Sequence, residues 1–342
     1  MALSASMVTL QDVADAARVS ISTASRALAG RGDLKSETRN EVLRVAAELG
    51  YDPSGKARGR PAALDLRLIE LVLGTFDDSW TAAIVSGARK AAFANGYDLV
   101  LTLERDEPAD DWPARVARRR PSGVILGIIR PTRKQLHDLT AARIPIVLVD
   151  PRSDPHGELA SIGTTDWQGG YDAGSHLARA GLRRFVIITG VPHYRFGKAR
   201  EEGFRAAIAD ELGDAPVQRI DSGWSNADVT KEFAGAIKRS PAPIGVFGCN
   251  DEMALAVYRA AEELGLRIPE DVSVIGFNDE PRAASAAPPL TSVRQPLEAM
   301  AARAVLTVRD LRLKPRETFE RVELPSRLVV RSSTLPLTER AD

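Results

Sequence analysis

The sequence predicts a small all-α head followed by an α/β core, in which two doubly wound parallel-sheet lobes enclose a cleft. Three observations predict this class. They are a helical period over residues 8–50, a linker-like composition over residues 53–65, and two series of short apolar runs beyond residue 66. A chain of 342 residues has room for two or three domains.

The pattern over residues 8–50 predicts three short helices. The first carries one apolar stripe at helical spacing, formed by Leu10, Val13, Ala14 and Ala17. Thr9, with Asp12 three residues later, resembles a capping box at the start of this helix. The second helix starts at Ser20, and the third spans residues 36–49 and ends at a glycine.

Residues 53–65 have the composition of a linker. A proline ends the helical pattern at residue 53, and glycine and proline recur up to residue 61. The basic residues of this segment are Lys56, Arg58 and Arg60, with no acidic residue between positions 53 and 63.

Beyond residue 66, apolar runs of strand length alternate with helical segments. We predict strands at residues 68–73, 99–103, 123–128, 146–149, 185–189, 217–220, 244–248 and 273–276. Helices such as 82–95 and 251–264 lie between them. Two such series predict two parallel sheets covered by helices on both faces. Sheets of this kind bind ligands beyond the carboxyl ends of their strands.

The balance of 46 basic and 46 acidic residues leaves the whole-chain charge silent about a nucleic-acid partner. Residues 1–62 hold nine Lys or Arg against seven Asp or Glu, which favours the head only weakly as a DNA contact. Cys249 is the single cysteine, which excludes an intramolecular disulfide. With no signal-peptide pattern and no apolar run of about 18 residues, we expect a cytoplasmic protein.

The turn Arg18-Val19-Ser20 joins the first two helices in a helix-turn-helix, whose second helix can enter the major groove of DNA. Arg26 can donate two hydrogen bonds to guanine, worth ~1–3 kcal/mol of base discrimination. Ile21 and Ser22 can reach base edges, and Ile21 suits a thymine methyl group. Hydroxyls suited to phosphate oxygens are those of Ser20, Thr23 and Ser25. The alternative is a three-helix bundle that contacts protein.

Several spaced motifs carry a resemblance to a known family. They are VTLQDVADAARVSISTASRAL at residues 8–28, Thr38-Arg39, GYDP at 50–53, GLRRF at 181–185, Asn250-Asp251, VIGFND at 274–279 and LTSVRQP at 290–296. The chain resembles the lactose-repressor (LacI/GalR) family of bacterial transcriptional regulators over residues 8–334. The resemblance implies a core of periplasmic-binding-protein-like type.

The resemblance also implies how DNA is bound: a homodimer, with two heads reading the halves of a double-stranded operator, acts as a repressor. The family's linker folds into a hinge helix whose leucine enters the minor groove, but here Arg60 stands in that position and Gly55 and Gly59 weaken a helix. We expect Arg58 and Arg60 to enter an A·T-rich minor groove instead. A solvated linker touching phosphate is the alternative. The predicted DNA contacts are Thr9, Ser20, Ile21, Ser22, Thr23, Ser25, Arg26, Thr38, Lys56, Arg58 and Arg60.

Aromatic residues near strand ends predict a small, sugar-like effector in the cleft. Trp80, Trp167 and Trp224 each fall in a loop after a predicted strand or crossover, where an indole can stack on a sugar ring, although any one tryptophan can instead be core. Asp77 is a candidate acceptor for a hydroxyl, or alternatively a helix N-cap.

By resemblance, Arg200, Asn250 and Gln295 match effector-binding residues of the family. The fork of donors on Arg200 suits vicinal hydroxyls or a carboxylate. Asn278 stands where many sugar-responsive members carry aspartate. The family response to effector is a change in lobe arrangement, which requires only that effector favour one arrangement.

These expectations divide the chain into a head at 1–52, a linker at 53–65, a core at 66–334 and a tail at 335–342. The first lobe takes about 66–164 and 296–320, and the second takes about 165–292 and 321–332. Because the tail lacks a leucine heptad, we expect a dimer rather than a tetramer.

Two other classes fit less well. A nucleotide enzyme would need a phosphate loop, but residues 190–199 have six residues between their glycines instead of four and no Ser or Thr after the lysine. The four histidines lack metal-ligand spacing, so we expect no enzyme activity, metal or cofactor. A sugar-binding transport protein shares the two-lobed core and stays open as the alternative, although it would need a signal peptide.

Overall fold

The computed structural model divides the chain into two compact units, Met1–Asp65 and Leu66–Asp342. The structure describes residues 8–29, 34–49, 51, 67–105, 111–129, 131–153, 156–191, 194–224, 229–239, 243–315, 318–319 and 321–337. The expectations for Lys56, Arg58 and Arg60 therefore lie outside the described residues.

The first unit contains the three predicted helices: α1 (Leu10–Ala16), α2 (Ile21–Leu28) and α3 (Ser36–Glu48). The capping box is confirmed, because Thr9 Oγ1 accepts a hydrogen bond from the Asp12 N–H at 3.2 Å and the Asp12 carboxylate accepts one from the Thr9 N–H at 2.7 Å. Ser20 caps α2 by accepting from the Thr23 N–H at 3.2 Å. The three helices bury a small core formed by Val13, Ala14, Ala24, Ala27, Val42, Val45 and Ala46.

The second unit holds two sheets, each of which defines one lobe. The first sheet has the order β11-β5-β4-β3-β1-β2, and all of its pairings are parallel. Its strands are β1 (Leu68–Leu73), β2 (Asp98–Leu103), β3 (Gly123–Gly127), β4 (Ile146–Val149), β5 (Ala160–Thr164) and β11 (Arg321–Leu324). The helices of this lobe are α4 (Ser79–Ala94), α5 (Trp112–Arg119), α6 (Arg133–Ala141) and α12 (Leu297–Leu313). They bury β3 and β4 completely.

The second sheet has the order β12-β10-β9-β8-β6-β7. Its strands are β6 (Phe185–Val191), β7 (Val217–Gly223), β8 (Ile244–Gly248), β9 (Val272–Asn278), β10 (Thr291–Arg294) and β12 (Arg327–Val329). The helices of this lobe are α7 (Asp166–Arg179), α8 (Arg195–Leu212), α9 (Val229–Arg239), α10 (Asp251–Glu263) and α11 (Pro281–Ser285). The edge strand β12 pairs antiparallel with β10, which departs from the predicted all-parallel sheet.

The chain crosses between the lobes three times: at Thr165 after β5, at Gln295 after β10, and at Ser326 between β11 and β12. The first and third crossovers are joined, because the Ser326 N–H donates to Thr165 Oγ1 at 2.9 Å. The sequence assigned residues 321–332 to the second lobe. The assignment is wrong for β11, which pairs with β5 in the first sheet before the chain crosses.

Among the described residues, no helix is long and apolar enough to cross a membrane.

A candidate effector site between the lobes and a candidate DNA-contacting helix

A cavity of about 270 Å³ opens between the two lobes, at the carboxyl ends of both sheets. In each sheet it lies where strand order reverses, beside β1 and β3 in the first lobe and beside β6 and β8 in the second. Its lining combines aromatic rings, side-chain amides, carboxylates and two guanidinium groups, from Asp78, Trp80, Ile128, Asp150, Arg152, Tyr194, Phe196, Arg200, Trp224, Asn250, Glu252, Asn278, Glu280 and Gln295.

Three rings of the second lobe form one aromatic wall. Tyr194 stacks on Trp224 with ring centres 5.4 Å apart and planes 11° apart, and Phe196 meets Trp224 edge-on at 5.0 Å. Trp224 packs against the backbone of Gly190, where a Cβ would lie 2.1 Å from indole Cε2. Glycine at position 190 therefore fixes where the indole lies, and Trp80 contributes a further ring from the first lobe.

Three amide side chains supply donors and acceptors beside this wall. Asn250 caps α10 by accepting from the Met253 N–H at 2.7 Å, and its Nδ2 donates to the Trp224 carbonyl at 3.4 Å. Gln295 Nε2 donates to Asn278 Oδ1 at 2.7 Å. Gln295 Oε1 is buried without a hydrogen-bond partner in the structure, so it can accept one from a ligand.

Arg200 is 3% exposed and fixed by partners of its own lobe. Its guanidinium donates to Asp166 Oδ1 at 2.9 Å and to the Cys249 carbonyl at 2.7 Å, and it lies 3.7 Å from the ring centre of Phe277. Because Asp166 neutralises its charge, Arg200 presents directed N–H donors to the cavity rather than an unpaired cation.

The carboxylate of Asp150 follows β4 and is 2% exposed. It accepts from Trp80 Nε1 at 3.3 Å through Oδ2, whereas Oδ1 has no hydrogen-bond partner in the structure. Burial, and next the negative charge of Asp166, raise the pKa of Asp150 to about 7. Asp150 can therefore accept a hydrogen bond from a ligand hydroxyl or, when protonated, donate one.

We predict that Asp150 lowers the stability of the core as pH rises. Its pKa is 3.8 when unperturbed and about 7 in the folded core, so its stabilising contribution is full below the lower value and is lost as pH passes the upper one. In Asp150→Asn this loss is absent. Urea unfolding between about pH 5 and about pH 8 should show a smaller decline for the variant. Parallel curves for the two proteins would contradict the assignment.

The lobes also contact each other directly beside the cavity. The Arg195 N–H donates to the Arg152 carbonyl at 3.0 Å, and the Arg152 guanidinium lies 5.0 Å from the ring centre of Tyr194. Arg321 of β11 lies 3.8 Å from Asp166 at the start of α7. A ligand in the cavity therefore contacts groups that already join the two lobes.

The cavity lining contains six of the eight side chains that the sequence predicts for effector binding: Trp80, Arg200, Trp224, Asn250, Asn278 and Gln295. It does not contain Asp77, which is exposed; the neighbouring Asp78 caps α4 and faces the cavity instead. It also does not contain Trp167, because this residue lies on α7, 44% exposed and stacked on Tyr171 at 5.3 Å.

Sequence reasoning missed the remaining lining residues. Asp150 had a signal, because it directly follows the predicted strand 146–149. Tyr194 and Phe196 lie in the segment that was tested against the phosphate-loop pattern and set aside. Glu252 and Glu280 follow second-sheet strands β8 and β9 at a few residues' distance, where the sequence marks them only as helix-start acids.

In the head, α2 presents one exposed face opposite its buried alanines. Its exposed members are Ile21, Ser22, Ser25 and Arg26. The Arg26 side chain lies along the helix, with Nε donating to the Ser22 carbonyl at 3.2 Å. The hydroxyls of Thr9, Ser20 and Thr23 take part in cap hydrogen bonds, and Thr38 is half-buried on α3.

No group of three or more His, Cys, Asp or Glu in the described ranges could hold a metal ion. Cys249 is buried, and burial raises the pKa of its thiol to about 12, which keeps it protonated.

A helix-turn-helix head on a two-lobed core with a ligand-sized cavity defines a class of protein, the ligand-responsive DNA-binding regulators. Residues 9–54 match the family described as "Bacterial regulatory proteins, lacI family", and residues 175–334 match "Periplasmic binding protein-like domain". The chain is 30% identical over 337 residues to the HTH-type transcriptional regulator DegA of Bacillus subtilis (strain 168), covering 96% of this chain and 98% of DegA.

Solved structures agree with these matches. The transcriptional regulator CelR–cellobiose complex has a TM-score of 0.71 and 28% identity, covering 95% of this chain and 99% of that one. The Lac repressor bound to ONPG in the repressed state has a TM-score of 0.69 and 25% identity, covering 96% of this chain and all of that one. The chain belongs to the lacI family of bacterial regulatory proteins and is a DNA-binding transcriptional regulator with an effector-binding core.

Proposed function

We propose that the protein is a repressor that binds operator DNA through α2 and that a sugar in the interlobe cavity controls this binding. One observation carries the proposal: stacked aromatic rings and unpaired polar atoms line the same cavity between two jointed lobes. Effector then shifts DNA affinity because it favours one lobe arrangement over another.

The chemistry of the lining favours a sugar. The apolar faces of a pyranose suit the rings of Trp80 and Trp224, and its hydroxyls suit planar groups such as Asn250, Gln295 and Asp150. Two relatives are solved with sugar-type ligands by their descriptions, cellobiose and ONPG. The proposed effector contacts are Trp80, Asp150, Arg200, Trp224, Asn250, Asn278 and Gln295.

We further propose a homodimer that acts in the cytoplasm, where operator DNA lies. The edge strand β2 exposes Leu101 (43%) and Leu103 (40%), and α4 exposes Phe93 (85%). An apolar sheet edge of this kind is a site of self-association. A two-fold dimer would place two heads on a pseudo-palindromic operator.

The proposed DNA contacts divide by chemistry. Arg26 and Ile21 would read base edges, whereas the hydroxyls around them would touch phosphate. The proposal keeps the head at residues 1–52 and the linker at 53–65, with Arg58 and Arg60 entering a narrow minor groove.

Replacing Arg26 by alanine should weaken binding to a duplex from the gene's own upstream region by about 10- to 100-fold, because one bidentate base contact is lost. The matched control is Arg44→Ala on α3, since Arg44 is already paired with Glu41 at 2.6 Å and Glu48 at 2.5 Å. Fluorescence anisotropy measures both variants. Equal affinities for wild type and Arg26→Ala would exclude α2 as the reading helix.

A further inference from the structure

A second cavity, of about 260 Å³, lies in the first lobe next to the interlobe cavity. It sits where β2, β1 and β3 end, between Gly74 and Thr75 after β1, Glu104 and Arg105 after β2, and Gly127 at the end of β3. The second cavity therefore occupies the carboxyl edge of the first sheet at the point where its strand order reverses.

The two cavities are contiguous, because they share four lining residues: Asp78, Trp80, Ile128 and Arg152. Taken singly, each volume is below the ~300–1,000 Å³ that is typical of small-molecule sites, and the two joined fall within that range. A ligand that fills the joined space is longer than one that fills the interlobe cavity.

Trp80 forms a wall of both cavities. Its Nε1 donates to Asp150 on the interlobe side, while its six-membered ring lies over Gly127, where a Cβ would be 3.2 Å from Cη2. The indole is 8% exposed and is therefore held in place. One ring surface thus continues from the first cavity into the second.

The chemistry of the second cavity repeats that of the first. Next to the Trp80 ring it offers the Thr75 hydroxyl, the Glu104 carboxylate and the Arg105 guanidinium. An aromatic face surrounded by planar polar groups suits a second sugar ring as well as the first.

We propose that the effector has two linked sugar rings, with one ring in the interlobe cavity and the other in the second cavity beside Trp80. This inference rests on the proposed sugar response. The effector class is then a disaccharide or an aryl-free glycoside of two sugar units, and the second cavity is the part of the site that distinguishes it from a monosaccharide.

Gly74 allows a direct test. The nearest atom to a Cβ built there is Glu104 Oε2, at 3.9 Å, so alanine fits and leucine extends into the second cavity. Calorimetric titrations would compare glucose with cellobiose and maltose, galactose with lactose, and xylose with xylobiose. The full-length protein, Gly74→Ala and Gly74→Leu are each titrated.

We expect one disaccharide to bind at least about tenfold more tightly than its monosaccharide, the gain from one further hydrogen-bonded ring. The gain should survive in Gly74→Ala and disappear in Gly74→Leu, while monosaccharide affinity stays unchanged. If Gly74→Leu fails to fold, the exposed Arg105→Met gives the same comparison. A monosaccharide that binds as tightly as every disaccharide, or a Gly74→Leu that keeps the gain, would overturn the inference alone. Binding of no sugar would overturn the proposed function with it.

Discussion

Replacing Arg200 by methionine is expected to lower the free energy of unfolding of the core by about 3–5 kcal/mol, because it leaves a buried charge without its partner. Asp166 is 2% exposed and pairs with Arg200 at 2.9 Å. Burial already raises the pKa of Asp166, and Arg200 acts against that shift. Sugar binding should weaken as well, since Arg200 also lines the interlobe cavity.

The control lies on the same helix. Arg205 pairs with Glu201 at 2.9 Å but is 41% exposed, so Arg205→Met should change the free energy of unfolding by less than ~1 kcal/mol. The double variant Asp166→Asn with Arg200→Met should recover part of the loss, because no unpaired charge is then buried. Urea unfolding compares all three. Similar losses in the Arg200 and Arg205 variants would show that the buried pair has no special weight.

Replacing Gly190 by alanine is expected to weaken sugar binding by about 30-fold or more, the effect of losing a central aromatic contact. The new Cβ would lie 2.1 Å from Trp224 Cε2, so the indole must leave its stack with Tyr194. Trp224→Ala should cause a loss of the same size. Calorimetry with the best-binding sugar of the panel measures both.

The double variant sharpens this test. If Gly190→Ala acts only through the indole, then adding it to Trp224→Ala should cause no further loss of affinity. Additive losses, or an unchanged affinity in Gly190→Ala, would contradict the role given to the aromatic wall. Thermal unfolding of each variant separates loss of the wall from loss of the fold.

The sequence predicted those strands whose apolar runs are continuous. The predicted and observed bounds coincide at β1 (Leu68–Leu73), β4 (Ile146–Val149) and β8 (Ile244–Gly248), each buried on both faces. It missed β5, whose residues ASIGT are small and partly polar and become buried only between β4 and β11. It also missed β10, β11 and β12, because strands of three or four residues give too little pattern.

The candidate site was predictable only where a residue directly follows a recognisable strand or matches a family motif. Asn250 follows β8 and Gln295 follows β10, and both line the cavity. Of the adjacent pair Asp77 and Asp78, the sequence favoured the wrong neighbour as the cavity residue, because which carboxylate caps α4 depends on the loop conformation. Trp167 looked like a stacking platform, but helix α7 begins one residue earlier and carries its ring to the surface.

The central claim is that a sugar in the core controls DNA binding by the head, and one measurement tests both parts together. Fluorescence anisotropy follows binding to a duplex from the gene's own upstream region at two salt concentrations, with and without the sugar panel. The account predicts binding that weakens with salt and that one sugar shifts, in either direction, by at least about fivefold. DNA binding that no sugar changes, or no DNA binding at either salt concentration, would contradict it.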